Sequence, residues 1–221
     1  WGPDPNRSRY LYSPSAFSQG HGNGYLAQRA LVLTSAAVGV SDYVDLEVGL
    51  ILPTLFTSSP VGAFGVKVSG PVEEHLRLGA GAQAILIPVD GLTAGGFLFG
   101  NATLGSPDTH GTLSGGVVMD FTGGEVMLSA ATLSVNHRLG PGMALVSENW
   151  FLYFMPERQG DTLYTRDGPW GIPFFAVPSG GVRLFGPSFA VDLALVPVIT
   201  GEREIPILPL PWISVAWNWG S

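Results

Sequence analysis

Residues 41–52 read SDYVDLEVGLIL, a stretch in which Asp45 and Glu47 alternate with Val44, Leu46, Val48, Leu50 and Leu52. In an extended chain successive side chains point to opposite faces, so the two carboxylates share one face and the apolar residues the other. Three environments fit this pattern: a catalytic carboxylate pair, the wet face of a soluble strand, or the inner face of a barrel whose outside is lipid. The rest of the chain decides among them.

The 221 residues show no composition break or linker, so residues 1–221 read as a single domain. Charged residues make up 12% of the chain, about half the usual share of a soluble domain, and the mean hydropathy is positive. Too few charges are present to wet the surface of a soluble β protein. The 31 glycines and 18 prolines punctuate the sequence throughout and leave no room for long helices. Long uncharged runs such as 48–66 and 205–221 are broken by Pro, Ser and Gly, so none reads as a spanning helix. The net charge of −7 comes without a basic run, which argues against nucleic acid as a partner. Absence of cysteine excludes disulfides and thiolate metal sites. WGPDPNRSRY, at the start, has no charged region followed by an apolar one, and so reads as mature sequence rather than a signal peptide.

Period-two patterning recurs in segments of about ten residues, the length a tilted strand needs to cross a bilayer. Phe64, Val66, Val68 and Val72 fall opposite Gly65, Lys67 and Ser69; Leu113, Val117, Met119 and Phe121 fall opposite Thr112, Ser114, Gly116 and Asp120. Ile213, Val215, Trp217 and Trp219 likewise oppose Ser214, Ala216 and Asn218. Each apolar face is large and each opposite face small or polar. A soluble sandwich reverses this, with long charged residues outward. The pattern therefore predicts a closed, antiparallel, up-and-down transmembrane β-barrel.

Eleven strands are expected, over 25–39, 43–53, 63–72, 76–88, 96–106, 111–122, 125–138, 143–155, 173–185, 188–199 and 207–219. Tight connections at 40–42, 73–75, 107–110, 139–142 and 186–187 mark one end of the barrel; those at 54–62, 89–95, 156–172 and 200–206 are longer and mark the other, with 122–124 an exception. Single-chain bacterial barrels have an even strand number, with short turns in the periplasm and long loops outside. A preceding strand in RSRYLYSPSAF (7–17) restores parity and gives twelve, although Pro14 would cost that strand a ladder donor. Pro53, Pro88, Pro156, Pro173, Pro197 and Pro206 all fall at the long-loop end, where pairing can fray.

The pattern RYLYSPSAF…GYLAQRALVLTSAAVGVSD, with LVSENWF at 145–151 and an aromatic C-terminal strand, resembles a family of small, largely uncharacterised bacterial outer-membrane β-barrel proteins. The resemblance implies a bacterial outer-membrane location and brings no catalytic residues with it. Gly220 and Ser221 after Trp219 depart from the usual aromatic terminus of such barrels.

General acid/base work by Asp45 or Glu47 needs a polarised partner that the sequence does not supply. They are expected instead in a lumen charge network with Lys67, Arg77, Asp120, Arg138, Glu148, Arg183 and Asp192, because buried charges are costly unless paired. An inward Glu148 puts Ser147 and Asn149 on the lipid side unless a bulge intervenes. Trp150, Tyr153, Trp217 and Trp219 are expected in aromatic girdles at the headgroups. His75, His110 and His137 are expected at the short-turn end, far from where a lipid-modifying barrel enzyme needs its His–Ser–acid set; His21 in GHGNG is expected on the correct, long-loop side but reads as a lone solvated loop residue. No pair has metal-ligand spacing, and no cofactor is implied. The loop PERQGDTLYTRDGPWG (156–171) reads as a solvated loop, with ligand binding or plugging as the alternative.

The functional expectation is a non-enzymatic outer-membrane barrel: a small porin-like channel, or a structural envelope component associated with other outer-membrane proteins. Outer-membrane lipids are its expected surroundings. A lipid-modifying barrel and a soluble β-sandwich binding module are the alternatives.

Overall fold

A computed structural model describes residues 4–88, 92–121, 123–155, 157–159, 162–164, 174–198 and 208–220. Its strands are β1 (Gly24–Arg29), β2 (Leu33–Gly39), β3 (Val44–Ile51), β4 (Gly62–Pro71), β5 (Leu76–Pro88), β6 (Leu92–Gly105), β7 (Thr109–Asp120), β8 (Glu125–Gly140), β9 (Met143–Phe154), β10 (Glu157–Gln159), β11 (Thr162–Tyr164), β12 (Phe174–Val177), β13 (Gly180–Phe185), β14 (Phe189–Val198) and β15 (Leu208–Trp219). Every neighbour in the main sheet is antiparallel, and β1 pairs with β15 (Gly24↔Trp219 to Arg29↔Ser214), which closes it. β12 and β13 follow one another along the same edge of β9 in an unbroken register, Val177↔Trp150 and Gly180↔Ser147, and so form one wall strand interrupted at Pro178 and Ser179. The thirteen strands of that sheet therefore make a closed twelve-stranded up-and-down barrel. A β-sandwich is overturned by this closure, since a sandwich has two sheets with free edges.

The twelfth strand comes from a place the sequence did not mark. Residues 25–39 are not one strand but the hairpin β1–β2, turning at Ala30 and Leu31 with φ of 47° and 63°. The connection between the paired Arg29 and Leu33 has three residues, and positive φ in so tight a hairpin turn normally advertises itself with Asn or Gly. Ala-Leu carries no such signal. Residues 7–17 are correspondingly not a wall strand: the only ladder contact there is an isolated bridge between Arg9 and Pro14, and the segment is folded inside the barrel. β6 also starts earlier than expected, at Leu92, and the 52–56 stretch is a short 3₁₀ turn.

The face alternation of the strands is the one their sequences carry. Leu113, Leu193 and Trp217 are exposed on the outside by 61%, 47% and 68%, while Thr112, Asp192 and Asn218 beside them are buried inside. The conventional core is consequently displaced: small apolar clusters inside the barrel, such as Tyr10, Leu11, Val146 and Ala194 against Trp212, replace a single hydrophobic centre. Pro53 and Pro88 lie at the long-loop end as expected, and Pro197 pairs opposite Pro209 near the end of β14. Pro156, Pro173 and Pro206, and most of the 156–171 loop, lie outside the described residues. The loop's described portions, β10 and β11, pair with each other.

Candidate functional site

The lumen is occupied by the chain's own N-terminal segment. From β1 the chain runs back through QGHGNG at the short-turn end, where Gly22 N donates to the Gly39 carbonyl at 2.8 Å and Gly20 and Gly22 take φ of +83° and +75°. A Cβ on Gly39 would lie 2.1 Å from the Gly20 carbonyl oxygen, so only glycine lets the segment pass the rim. Inside, residues 8–15 form a tight hairpin with Tyr10 N to Ser13 O at 2.9 Å and Ser15 N to Ser8 O at 2.9 Å. Its tip reaches mid-height: the Tyr12 hydroxyl donates to Gln83 Oε1 at 3.0 Å, and its ring packs 6.1 Å from that of Trp150. Both partners lie midway along their strands.

An irregular segment has no ladder to satisfy its backbone, and buried peptide groups must find partners. Here the wall charges provide them. Lys67 Nζ donates to the carbonyls of Ser15 and Phe17 at 3.1 and 2.7 Å and is 3.2 Å from Asp45 Oδ2. Asp45 Oδ1 accepts from Ser18 Oγ and Gln19 N at 2.9 and 3.0 Å. Glu148 Oε2 accepts from both Tyr12 N and Ser13 N at 2.9 Å, while Oε1 accepts from Trp150 Nε1 at 2.6 Å. Arg183 lies between Asp192 (2.6 Å) and Asp4 (3.3 Å), and donates to the carbonyls of Asn6, Arg9 and Tyr10 at 3.2, 3.3 and 3.0 Å. The single charges among glycines thus serve as clamps on the segment as well as partners of one another.

Of the residues expected in the charge network, Asp45, Glu47, Lys67, Glu148, Arg183 and Asp192 face the lumen around this segment. Glu47 is 3.1 Å from Arg29 Nη2, whose guanidinium also donates to the Tyr25 hydroxyl at 2.8 Å. Arg77 lies at the short-turn end with its guanidinium 4.9 Å above the Phe17 ring. Arg138 braces that rim through Asp108 at 2.7 Å and the carbonyls of Gly140 and Pro141. Asp120 sits at the opposite end of the barrel, in register with Glu125. Arg29, Arg9 and Asp4 were not singled out from sequence. Arg29 pairs with a residue two strands away, Arg9 belongs to a segment read as wall, and Asp4 lies just ahead of that segment.

Two details of β9 follow from its alternation. With Glu148 inward, Ser147 and Asn149 face out, and each is satisfied locally: Ser147 Oγ donates to the Ser179 carbonyl and Asn149 Nδ2 to that of Leu133, both at 3.0 Å. No bulge is needed. By the same alternation Trp150 faces inward, which corrects its expected girdle position; it hydrogen-bonds Glu148 and lines the lumen beside Phe97 and Tyr12. Tyr153 faces outward near the long-loop end, and Trp217 and Trp219 face outward at the other. All four histidines sit at the short-turn end, which corrects the placing of His21 at the other: with 7–17 inside the barrel, its loop meets the 40–42 turn, where His21 N donates to Asp42; His110 is buried between the rings of Tyr10 and Phe17. Among the described residues no cluster of three or more His, Asp or Glu has metal-binding proximity.

Phe97 and Phe99 also project inward, stacked at 5.5 Å. Glycine on each neighbouring strand makes room for them. A Cβ on Gly81 would meet the Phe99 ring at 2.5 Å, and one on Gly116 the Phe97 ring at 2.8 Å. Beside and above the hairpin tip lie two adjoining cavities of about 70 and 150 Å³ that share Tyr12, Arg29, Glu47, Gly65 and Gln83 as lining.

No family model matches the chain, and no curated protein matches it in sequence. Solved structures do match in fold. One, titled "NanC porin structure in rhombohedral crystal form", superposes with a TM-score of 0.58 over 88% of this chain and 97% of that one, at 6% identity. The translocator domain of autotransporter NalP from Neisseria meningitidis gives a TM-score of 0.47 at 10% identity, covering 90% of this chain and 88% of that one. The similarity to the porin extends over nearly its whole length and is a likeness of closed twelve-stranded barrel architecture.

Proposed function

We propose that this chain is a non-enzymatic bacterial outer-membrane barrel of porin-like type whose pore is closed at rest by its N-terminal segment. The outward apolar face suits a lipid surround, since a closed barrel leaves no unpaired strand edge. The observation that carries the closed state is the hairpin 8–15, clamped at mid-lumen by Lys67, Glu148 and Arg183. Histidines confined to the short-turn end favour this reading over a lipid-modifying enzyme, whose acid–base set belongs at the outer leaflet.

Planar-bilayer recordings test it. The full chain is expected to be silent or nearly so, and a variant lacking residues 1–19 to show steady ion-conducting steps. Ser13 Oγ and Ser134 Oγ lie 3.1 Å apart, so oxidised Ser13→Cys/Ser134→Cys should pin the hairpin and stay silent. A deletion variant that folds as a heat-modifiable barrel yet carries no current would overturn the channel reading in favour of a structural envelope role.

A further inference from the structure

Among the described residues the clamps leave the buried Arg9 guanidinium without a hydrogen-bond acceptor. Arg9 is 2% exposed, and none of its three guanidinium nitrogens has a hydrogen-bond partner among the described residues; the group rests 4.5 Å over the Tyr25 ring. Arg29 Nε is likewise unpartnered, as is Ser35 Oγ. Arg9 and Arg29 line the lower of the two adjoining cavities with Tyr12, Gln83 and Trp150. Arg29 and Ser35 also line the upper one, whose other walls are mainly apolar: Leu33, Leu50, Ile51, Val61, Ala63 and Ile85. Buried donors left open cost free energy that an acceptor recovers. The unfilled valences here are mostly donors, and the wall above them is hydrocarbon.

We propose that the chamber beside and above the hairpin tip is a binding site for a small amphipathic carboxylate, with its head on Arg9 and Arg29 and its apolar body against Leu33, Ile51 and Ile85. Glu47 stays paired to Arg29, so Arg9 supplies the uncompensated charge for the head. The upper cavity extends to Val32 and Val61, beside the β1–β2 turn and the 52–61 connection, which makes the long-loop end the route of entry. The site rests on the plugged-barrel reading, because its floor is the hairpin itself.

The test is calorimetric titration of the full chain in lipid nanodiscs with para-butylbenzoate and, separately, para-butylbenzyl alcohol, each corrected against empty nanodiscs. The carboxylate is expected to bind at least about tenfold more tightly than the alcohol, in keeping with the strength of hydrogen bonds to charged groups. Arg9→Gln should abolish that preference while leaving weak binding of both. Ile85→Trp, which fills the upper cavity without touching a clamp, should remove binding of both. Equal affinity for the two probes, no binding of the carboxylate, or full binding to Ile85→Trp would each overturn the site. Bilayer conductance of the variant lacking residues 1–19 is read without either probe, so failure of the site and failure of the plugged-channel reading are told apart.

Discussion

Each lumen charge has two tasks, and a single substitution separates them. Glu148 accepts two backbone amides of the hairpin tip. Glu148→Gln keeps its volume but points an amide or a neutral oxygen at those donors. Hydrogen bonds to charged groups contribute roughly 1.5–3 kcal/mol, and faster hydrogen exchange at the Tyr12 and Ser13 amides by the corresponding factor is expected, with little change in the wall strands. Lys67→Met is more severe. It leaves Asp45 buried without its cation and removes the donor to Ser15 and Phe17, and breaking a buried pair from one side costs about 3–5 kcal/mol. Urea unfolding in vesicles should show the loss. Trypsin should also cut more readily after Arg7 and Arg9 as the hairpin loosens, and an unchanged cleavage rate would count against the clamp.

At the scale of elements, the β1–β2 hairpin stores strain that the rest of the barrel holds in place. Ala30 and Leu31 occupy the left-handed region without the residues that favour it. Each non-glycine residue there costs on the order of 1 kcal/mol. Ala30→Asn/Leu31→Gly should therefore stabilise the barrel by about 1 kcal/mol, read as a higher urea midpoint with the same folded spectrum. β9 shows how far alternation reaches on its own: once Glu148 is placed inward, Trp150 must follow, because residues i and i+2 share a face. Its aromatic character suggested a girdle; its parity contradicted that. Parity was the stronger argument, since it is geometric whereas a preference for interfaces is statistical. The polar pair Ser147 and Asn149 on the lipid side was also visible in advance. Its hydrogen bonds to Ser179 and Leu133 were not, because they depend on which strands become neighbours.

For the molecule as a whole, the outside and inside of the barrel make different predictions for its tryptophans. Bromine-labelled acyl chains should quench the outward rings Trp217 and Trp219. Trp217→Phe is expected to lower the quenchable fraction of fluorescence, and Trp150→Phe to raise it, because it removes a ring that lipid does not reach. Equal effects would mean that Trp150 meets lipid and that the lumen is not as described. The lumen volume is itself a whole-molecule property: twelve strands leave more space than side chains of glycine, alanine and serine can fill, and the N-terminal segment takes up the lower half of it.

The sequence by itself determined the fold class, the two faces of each wall strand and the ends at which the connections gather. All three follow from local periodicity, charge scarcity and the placing of Gly and Pro, and none requires knowing which strands meet. Closure decided the rest. Only after β1 pairs with β15 does parity come from an unmarked Ala-Leu turn, and only then is RSRYLYSPSAF released from the wall to become the contents of the barrel. Its serines, arginines and tyrosines are as compatible with an inward strand face as with a segment packed inside, because both environments ask for polar side chains with partners. Which of the two it occupies depends on the space a twelve-stranded barrel encloses and on clamps contributed by distant strands, and no local pattern encodes either.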